Sequence, residues 1–511
     1  MLFPIALLAA LPGGSASAQT PSARAAEAMA GLELRELGPA VMGGRVADIA
    51  AVETDPRIFY VGFATGGLWK TTNHGMSWTP VFDDQPTSSI GAVTIAPSNP
   101  NVVWVGSGEP QNRQSSPWGM GVFQSTDAGR TWMHAGLEDT KHIARIAVHP
   151  RDPAVAYVAA VGHLWGPNPE RGVYRTVDGG ATWEKVLFVD DDTGTIDLVM
   201  DPGDPRTLFA ATYQRRRTGF GFAAGGGGSG IWRTTDGGDT WTRLEEGLPG
   251  GELGRIGLDI YRGDGNLVYA TVEAHGDDEG LYRSTDRGET WEKVSDRNPR
   301  PMYFSLVRID PNNPERIYLG GVSLSASDDG GKTWWEDDAA EGIHVDHHAL
   351  WIDPGDSDHL ILGNDGGLAI SRDGAKTWRH VNNLAVGQFY EIGVDSRDPY
   401  TVCGGLQDNS SWCGPSRTLS EYGIRNGAWY DVSGGDGFYN EIIPDDPRWM
   451  YSESQGGNIS LVDVLTGESK RIRPVARPLA EPEPALEPAE PEEPEAEDEP
   501  EEEDEEDERE Y

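Results

Sequence analysis

Apolar positions along this chain come in short runs rather than in long helical stripes. Five runs follow an Asn-Pro or Asp-Pro pair: residues 58–64 (IFYVGFA) after Asp55-Pro56, 102–108 (VVWVGSG) after Asn99-Pro100, 155–161 (VAYVAAV) after Asp152-Pro153, 207–213 (TLFAATY) after Asp204-Pro205, and 316–322 (RIYLGGV) after Asn313-Pro314. Apolar and small residues occupy both parities, so each run predicts a strand covered on both faces. A second, polar signal alternates with the runs. The octapeptide Ser/Thr-x-Asp-x-Gly-x-Thr-Trp recurs seven times, ending at Trp78, Trp132, Trp183, Trp241, Trp291, Trp334 and Trp378, with 43 to 58 residues between successive tryptophans.

Each unit then reads strand, Asx-Pro turn, strand, variable loop, strand, octapeptide turn, strand. Two more units without the octapeptide run through Asp398-Pro399 and Asp446-Pro447, giving nine units between about residues 34 and 473. Four antiparallel strands in a repeat of this length predict the blade of a β-propeller. The expected fold is therefore all-β: a single propeller of about nine four-stranded repeats, with eight to ten blades.

The octapeptide itself reads as a structural turn. Its aspartates (Asp127, Asp178, Asp236, Asp286, Asp329 and Asp373) can accept backbone N–H bonds, and its glycine supplies a backbone shape costly for other residues. Its tryptophans can pack between neighbouring blades. Asn73 and Ala375 break the pattern in the first and last copies, which predicts looser turns there.

Composition sharpens this picture. Glycine is abundant (66) and so is tryptophan (17), as expected for many short strands and tight turns. There are 41 basic and 83 acidic residues, net −42, which argues against nucleic acid or an anionic membrane surface as partner. Residues 474–511 interleave proline with a glutamate run and predict a disordered acidic tail. At the other end, Leu2–Leu11 is apolar and Ala16-Ser17-Ala18 follows it, so residues 1–18 predict an export signal, although no basic residue precedes the run. No later segment is apolar enough to span a membrane. The mature chain is expected to be exported, periplasmic or secreted.

The octapeptide resembles the Asp-box, or BNR repeat, of sialidases, xyloglucan-cleaving glycosidases and the sortilin-type receptor propeller. The resemblance covers residues 34–473. Further stretches at 43–50 (GGRVADIA), 344–354 (HVDHHALWIDP), 360–368 (LILGNDGGL), 404–412 (GGLQDNSSW) and 434–441 (GGDGFYNE) resemble bacterial exported proteins described as sortilin-like or "glycosyl hydrolase BNR repeat". It implies two function classes. One is a propeller that binds a peptide, protein or glycan; the other is a glycoside hydrolase. Xyloglucan-cleaving relatives form their cleft between two propellers, whereas these repeats predict one, and no sialidase tyrosine–glutamate pair can be carried over. Sortilin-type propellers have ten blades, so nine units imply an unusual closure or a shortened relative.

Strand parity sorts the loops. Asx-Pro and octapeptide turns share one face, and the irregular loops share the other. Loops on a rigid scaffold carry binding, so the candidates on that face are Arg45, Glu109, Arg113, His163, Trp165, Arg215, Arg216, Asp365, Gln407, Asp408, Asn409 and Asp436. Arg45, Arg145 and Arg255 open three inner strands, where they can either converge on a carboxylate or each bridge an acidic neighbour. Strand alternation would put His344, Asp346 and His348 on one face as metal ligands. No fourth ligand can be named, so the expectation runs against a tightly held metal, and no other cofactor is expected. Cys403 and Cys413 flank one loop and can pair in an oxidising compartment.

Overall fold

A computed structural model describes residues 28–29, 31, 35–113, 116–336 and 343–473. The export signal and the acidic tail read from residues 1–18 and 474–511 lie outside the described residues. Nine antiparallel sheets follow one another along the chain, each a meander of four strands in sequence order; the fourth carries an extra short strand, Phe222–Ala224, paired with Leu208–Arg217. The nine units anticipated from the Asx-Pro and octapeptide spacing are all present.

Their distribution adds something the spacing did not contain. Inner strands Val46–Ala51, Ile90–Ile95, Ile143–Val148, Thr193–Met200, Ile256–Ile260, Leu306–Asp310 and His347–Asp353 together line one central channel. Apolar cores fill the space between successive sheets from the first to the seventh, and a further core joins the seventh to the first: Val46, Val61 and Phe63 pack with Ala349, Ile361 and Leu368. Sheets one to seven thus surround the channel. Sheets eight and nine lie beside them with a core of their own, built from Cys403, Cys413, Ile442, Met450 and Val462. Cys403 and Cys413 face each other in register and are joined as a disulfide.

The octapeptides staple the turns between third and fourth strands. In the fourth sheet, the Thr234 hydroxyl donates to Asp236 Oδ1 (2.7 Å) and accepts the Gly238 amide (2.9 Å). Asp236 in turn accepts the amide (3.0 Å) and hydroxyl (2.6 Å) of Thr240. The tryptophan reaches the preceding sheet: Trp132 Nε1 donates to Val81 O (2.5 Å) and Trp183 Nε1 to Ala135 O (2.6 Å). The looser first and last turns expected from Asn73 and Ala375 are not seen. Asn73 Oδ1 takes the Ser77 amide at 2.9 Å as a carboxylate oxygen does, and the Ala375 amide still reaches Ser371 Oγ at 3.0 Å, with Ala375 held at φ +69°.

Aspartates also tie the inner strands together. Asp48, Asp197 and Asp259 accept the amides of Val93, Leu258 and Ile309 from the next sheet at 3.0, 2.9 and 2.7 Å. Asp48, Arg145, Asp259 and Arg308 line the wider part of the channel, a cavity of about 420 Å³ that extends to the Asx-Pro turns.

Candidate functional site

Three chain segments distant in sequence meet at the loop end of the first and seventh sheets. Gly43 brings them into reach: its amide donates to Gly366 O (2.7 Å), and a Cβ there would sit 2.7 Å from Gly367 Cα. Two residues on, Arg45 turns inward with 1 % of its side chain exposed. Its Nε donates to Asp365 Oδ1 (2.7 Å) and Nη2 to Asp365 Oδ2 (2.6 Å), a bidentate pair. Its Nη1 donates to Glu109 Oε1 (2.9 Å), and Nη2 also faces Asp408 Oδ2 at 3.4 Å. The Tyr303 ring lies beside the guanidinium, 5.6 Å from centroid to carbon.

Asp365 sits in the turn between second and third strands of the seventh sheet. It also takes a hydrogen bond from His348 Nε2 at 2.8 Å. His348 reaches it because the inner strand bulges there: His347 pairs with Asn364 and Ala349 with Gly363, leaving His348 as the extra residue. Asp408 occupies the corresponding turn of the eighth sheet at φ +59°. Its amide donates to Asp436 Oδ1 (2.7 Å), and its carbonyl accepts from His344 Nε2 (2.9 Å). Beside it Tyr390, the bulged residue of its own strand, stacks on Phe438 with centroids 4.8 Å apart and planes within 3°.

Electrostatics divides the two aspartates. Burial opposes charge on Asp365, but His348 and Arg45 outweigh it and hold its pKa far below the ordinary carboxylate value. Asp408 goes the other way. Burial, the hydrogen bond to Asp365, and the charges of Asp365 and Asp436 push it up to about 8, against the pull of Arg45. The pair therefore holds one proton near neutral pH, on the member whose side chain is 28 % exposed. Burial also raises Glu109 and lowers His348, whose Nδ1 is buried without a partner.

The other candidates divide between this cluster and its surroundings. Arg113 Nη1 lies 3.6 Å from Glu109 Oε1. Asn409 Nδ2 donates to Asp365 O (2.9 Å) and Gln407 O (2.7 Å), bracing the Asp408 turn. Arg215 is fully buried and bonded to Pro110 O and Asn112 Oδ1, with its pKa lowered to about 9 by burial, so it is framework and not ligand surface. His163, Trp165 and Arg216 stand on the third and fourth sheets. His163 contacts Asp139 O, Trp165 is 52 % exposed, and Arg216 pairs with Asp192.

Of the two readings open for the inner-strand arginines, bridging to acidic neighbours holds for Arg45 and Arg145, and one other expectation changes. Arg45, Arg145 and Arg255 do not converge. Arg145 bridges Asp197 (3.0 Å) and Asp48 (3.8 Å), and Arg255 donates to Tyr303 O (2.8 Å). Nor do His344, Asp346 and His348 alternate along a strand: the strand starts at His347, Asp346 sits at φ +67°, and His348 is spent on Asp365. Among the described residues no group of three or more His, Cys, Asp or Glu is placed to hold a metal ion. Tyr303 was missed, and so was Arg300, whose guanidinium lies 4.6 Å from the Tyr303 ring centroid; an aromatic pair, Tyr303-Phe304, just ahead of an inner strand was the available signal.

Residues 120–277 match the Sortilin-Vps10 family (sortilin, neurotensin receptor 3), and residues 282–293 match the BNR/Asp-box repeat. The chain is thus similar to Asp-box repeat propeller proteins. It is 25 % identical over 345 residues to xyloglucanase Xgh74A of Acetivibrio thermocellus, covering 58 % of itself and 38 % of that relative. It is 27 % identical over 247 residues to a xyloglucanase of a Paenibacillus species, covering 44 % and 23 %. It thus spans about two fifths or less of the length of these relatives. Among solved structures, a GH74 xyloglucanase from Xanthomonas campestris superposes with a TM-score of 0.57 at 16 % identity, over 86 % of this chain and 75 % of that one. A GH74 enzyme from Niastella koreensis gives 0.53, also at 16 %. At that identity the likeness speaks to the fold. No helix among the described residues is long and apolar enough to cross a membrane.

Proposed function

We propose that this protein cleaves a glycan at its loop face, as a glycoside hydrolase, with Asp408 as the proton donor. The observation that carries the reading is Asp408 itself: a carboxyl at the surface, kept protonated to about pH 8 by burial and by the charged Asp365 beside it. Breaking a glycosidic bond requires an acid that still holds its proton at working pH. The stacked Tyr390–Phe438 pair next to it offers a flat apolar surface of the kind that sugar rings cover. The similarity to xyloglucanases supports the substrate class, and a plant-type β-glucan is the first substrate to try. We place the activity outside the cytoplasm, where polysaccharide is met and where an export signal would deliver the chain.

Asp365 is not the second carboxyl of a glycosidase pair. Those groups stand about 5–9.5 Å apart, on opposite sides of the bond, whereas Asp365 is buried beside Asp408 and shares Arg45 Nη2 with it, at 2.6 and 3.4 Å. That closeness favours a second reading, glycan, peptide or protein binding without cleavage. The test is incubation of purified protein with xyloglucan and other polysaccharides, reading new reducing ends. Release that disappears in Asp408→Asn supports the hydrolase. Retention on the polysaccharide without release, unchanged in Asp408→Asn, supports the binder.

A further inference from the structure

Below the Arg45 cluster the channel of the seven-sheet ring narrows to a space of about 30 Å³ beside Gln111, Arg255 and Phe304, then widens to the cavity of about 420 Å³ that runs to the turns at the far end. At that mouth, Glu53 from the first sheet is paired with Arg262 from the fifth. Those sheets are not neighbours in the ring, so the pair spans the opening. Inside, Asp48, Arg145, Asp259 and Arg308 line the cavity from four different inner strands, and Trp351 and Ile95 add apolar lining.

Bonding within this group is uneven. Arg145 is spent on Asp197, at 3.0 Å. Both oxygens of Asp48 take amides, from Ile49 (2.9 Å) and Val93 (3.0 Å), and both oxygens of Asp259 do the same with Ile260 (3.1 Å) and Ile309 (2.7 Å). Each of these oxygens keeps a second lone pair. Arg308 donates through Nη1 to the carbonyl of its neighbour Val307 (2.7 Å), and among the described residues its guanidinium makes no salt bridge. The wall therefore offers donors to spare at Arg308 and acceptors to spare at Asp48 and Asp259.

We propose that this cavity is a second binding site, for a neutral polyhydroxylated small molecule of mono- or disaccharide size. A hydroxyl is the group that donates to a carboxylate oxygen and accepts from a guanidinium at once. Charge selects against ions. The carboxylates of Asp48, Asp197 and Asp259 outnumber the guanidiniums of Arg145 and Arg308 along the channel, which opposes an anion, while the free face of Arg308 opposes a cation. A volume of about 420 Å³ falls within the usual range for small-ligand pockets, about 300–1,000 Å³, and Trp351 gives a sugar ring an apolar surface to cover. The site lies apart from Asp408, so it stands or falls independently of glycan cleavage at the loop face.

The test is isothermal titration of the full chain with glucose, xylose, cellobiose and maltose, with glucuronate and glycine as charged comparisons. Binding of at least one neutral sugar is expected, weakened about 10–100-fold in Arg308→Met and kept in Asp408→Asn. Ala50→Phe, two residues along the strand from Asp48 and so on the same face, fills the cavity while every charge remains, and should abolish the same binding. Binding that is lost in Asp408→Asn but kept in both channel variants puts the sugar on the loop face and overturns the proposal. So does tighter binding of glucuronate or glycine than of the sugars, or binding by none of the four. Should the channel variants fail to fold, hydrogen exchange on the parent protein decides: sugar should slow exchange in the turns at Glu53 and Arg262, and slowing confined to residues 407–410 overturns the proposal equally.

Discussion

The two ends of the propeller use aspartate in opposite ways. On the octapeptide face, Asp127, Asp178 and Asp329 stand in water, and bonds from threonine amides and hydroxyls hold their pKa at about 2. Each satisfies its own hairpin within a few residues. On the loop face, Asp365 and Asp408 are withdrawn from water and paired with partners more than 300 residues away in sequence, and one of them keeps its proton to about pH 8. Local bonds make a staple that can be copied from sheet to sheet. Long-range bonds in low dielectric make a single site with a tuned proton.

The comparison breaks most visibly if the loop-face acid can be neutralised without consequence. Asp408→Asn is expected to lower glycan cleavage by about 10²–10⁴-fold, the usual worth of a general acid, while thermal stability does not fall. Steady-state rates and a melting curve on the same preparation check both halves. On the other face the cost should fall on stability. Trp291 is 5 % exposed and packed into the core of the fourth and fifth sheets, so Trp291→Ala should cost about 3–5 kcal/mol in urea unfolding. Trp241 is only half-buried and should cost less.

The asymmetry matches what was legible in the sequence. Octapeptides, Asx-Pro turns and the cysteine pair are local signals, and the hairpins they describe stand where the spacing puts them. Which sheets share a channel was not legible, because ring closure depends on a small rotation accumulated over each interface and no single residue encodes it. The site was half legible. Arg45, Glu109, Asp365 and Asp408 each stood out as a charged residue at a strand end or loop, but nothing local pairs residue 45 with residues 365 and 408. His348 was misread because a bulge, invisible in a one-dimensional pattern, shifts its parity.

Acid and base should also separate the faces. For the octapeptide aspartates the folded pKa is depressed, so their contribution to stability is present above about pH 4 and is lost as pH falls toward about 2. For Asp408 the folded pKa is raised, so the folded state binds the extra proton and stability declines as pH rises from about 4 to about 8. Urea unfolding across this range, with Asp408→Asn for comparison, reads both effects. The variant should lack the decline above pH 4 and keep the acid loss below it. Identical curves for the two proteins would mean that Asp408 titrates as an ordinary carboxyl.

The smallest effect tests whether the staples are as interchangeable as they look. The fourth position of the octapeptide needs a left-handed backbone in every copy. Glycine fills it in four sheets, at Gly179, Gly237, Gly330 and Gly374, with φ between +71° and +82°. The second sheet has Ala128 there at φ +60°, with its amide on Asn101 O at 2.8 Å. An L-residue pays about 1–2 kcal/mol for that conformation, and glycine gives back part of the difference as chain entropy in the unfolded state. Ala128 is half-buried, so little packing is lost with its methyl. Ala128→Gly should therefore stabilise the protein by about 0.5–1 kcal/mol in urea unfolding, with glycan cleavage unchanged. A destabilisation of the same size would show that the methyl is held by the neighbouring sheet, and that this staple has been fitted to its own interface instead of being copied from the rest.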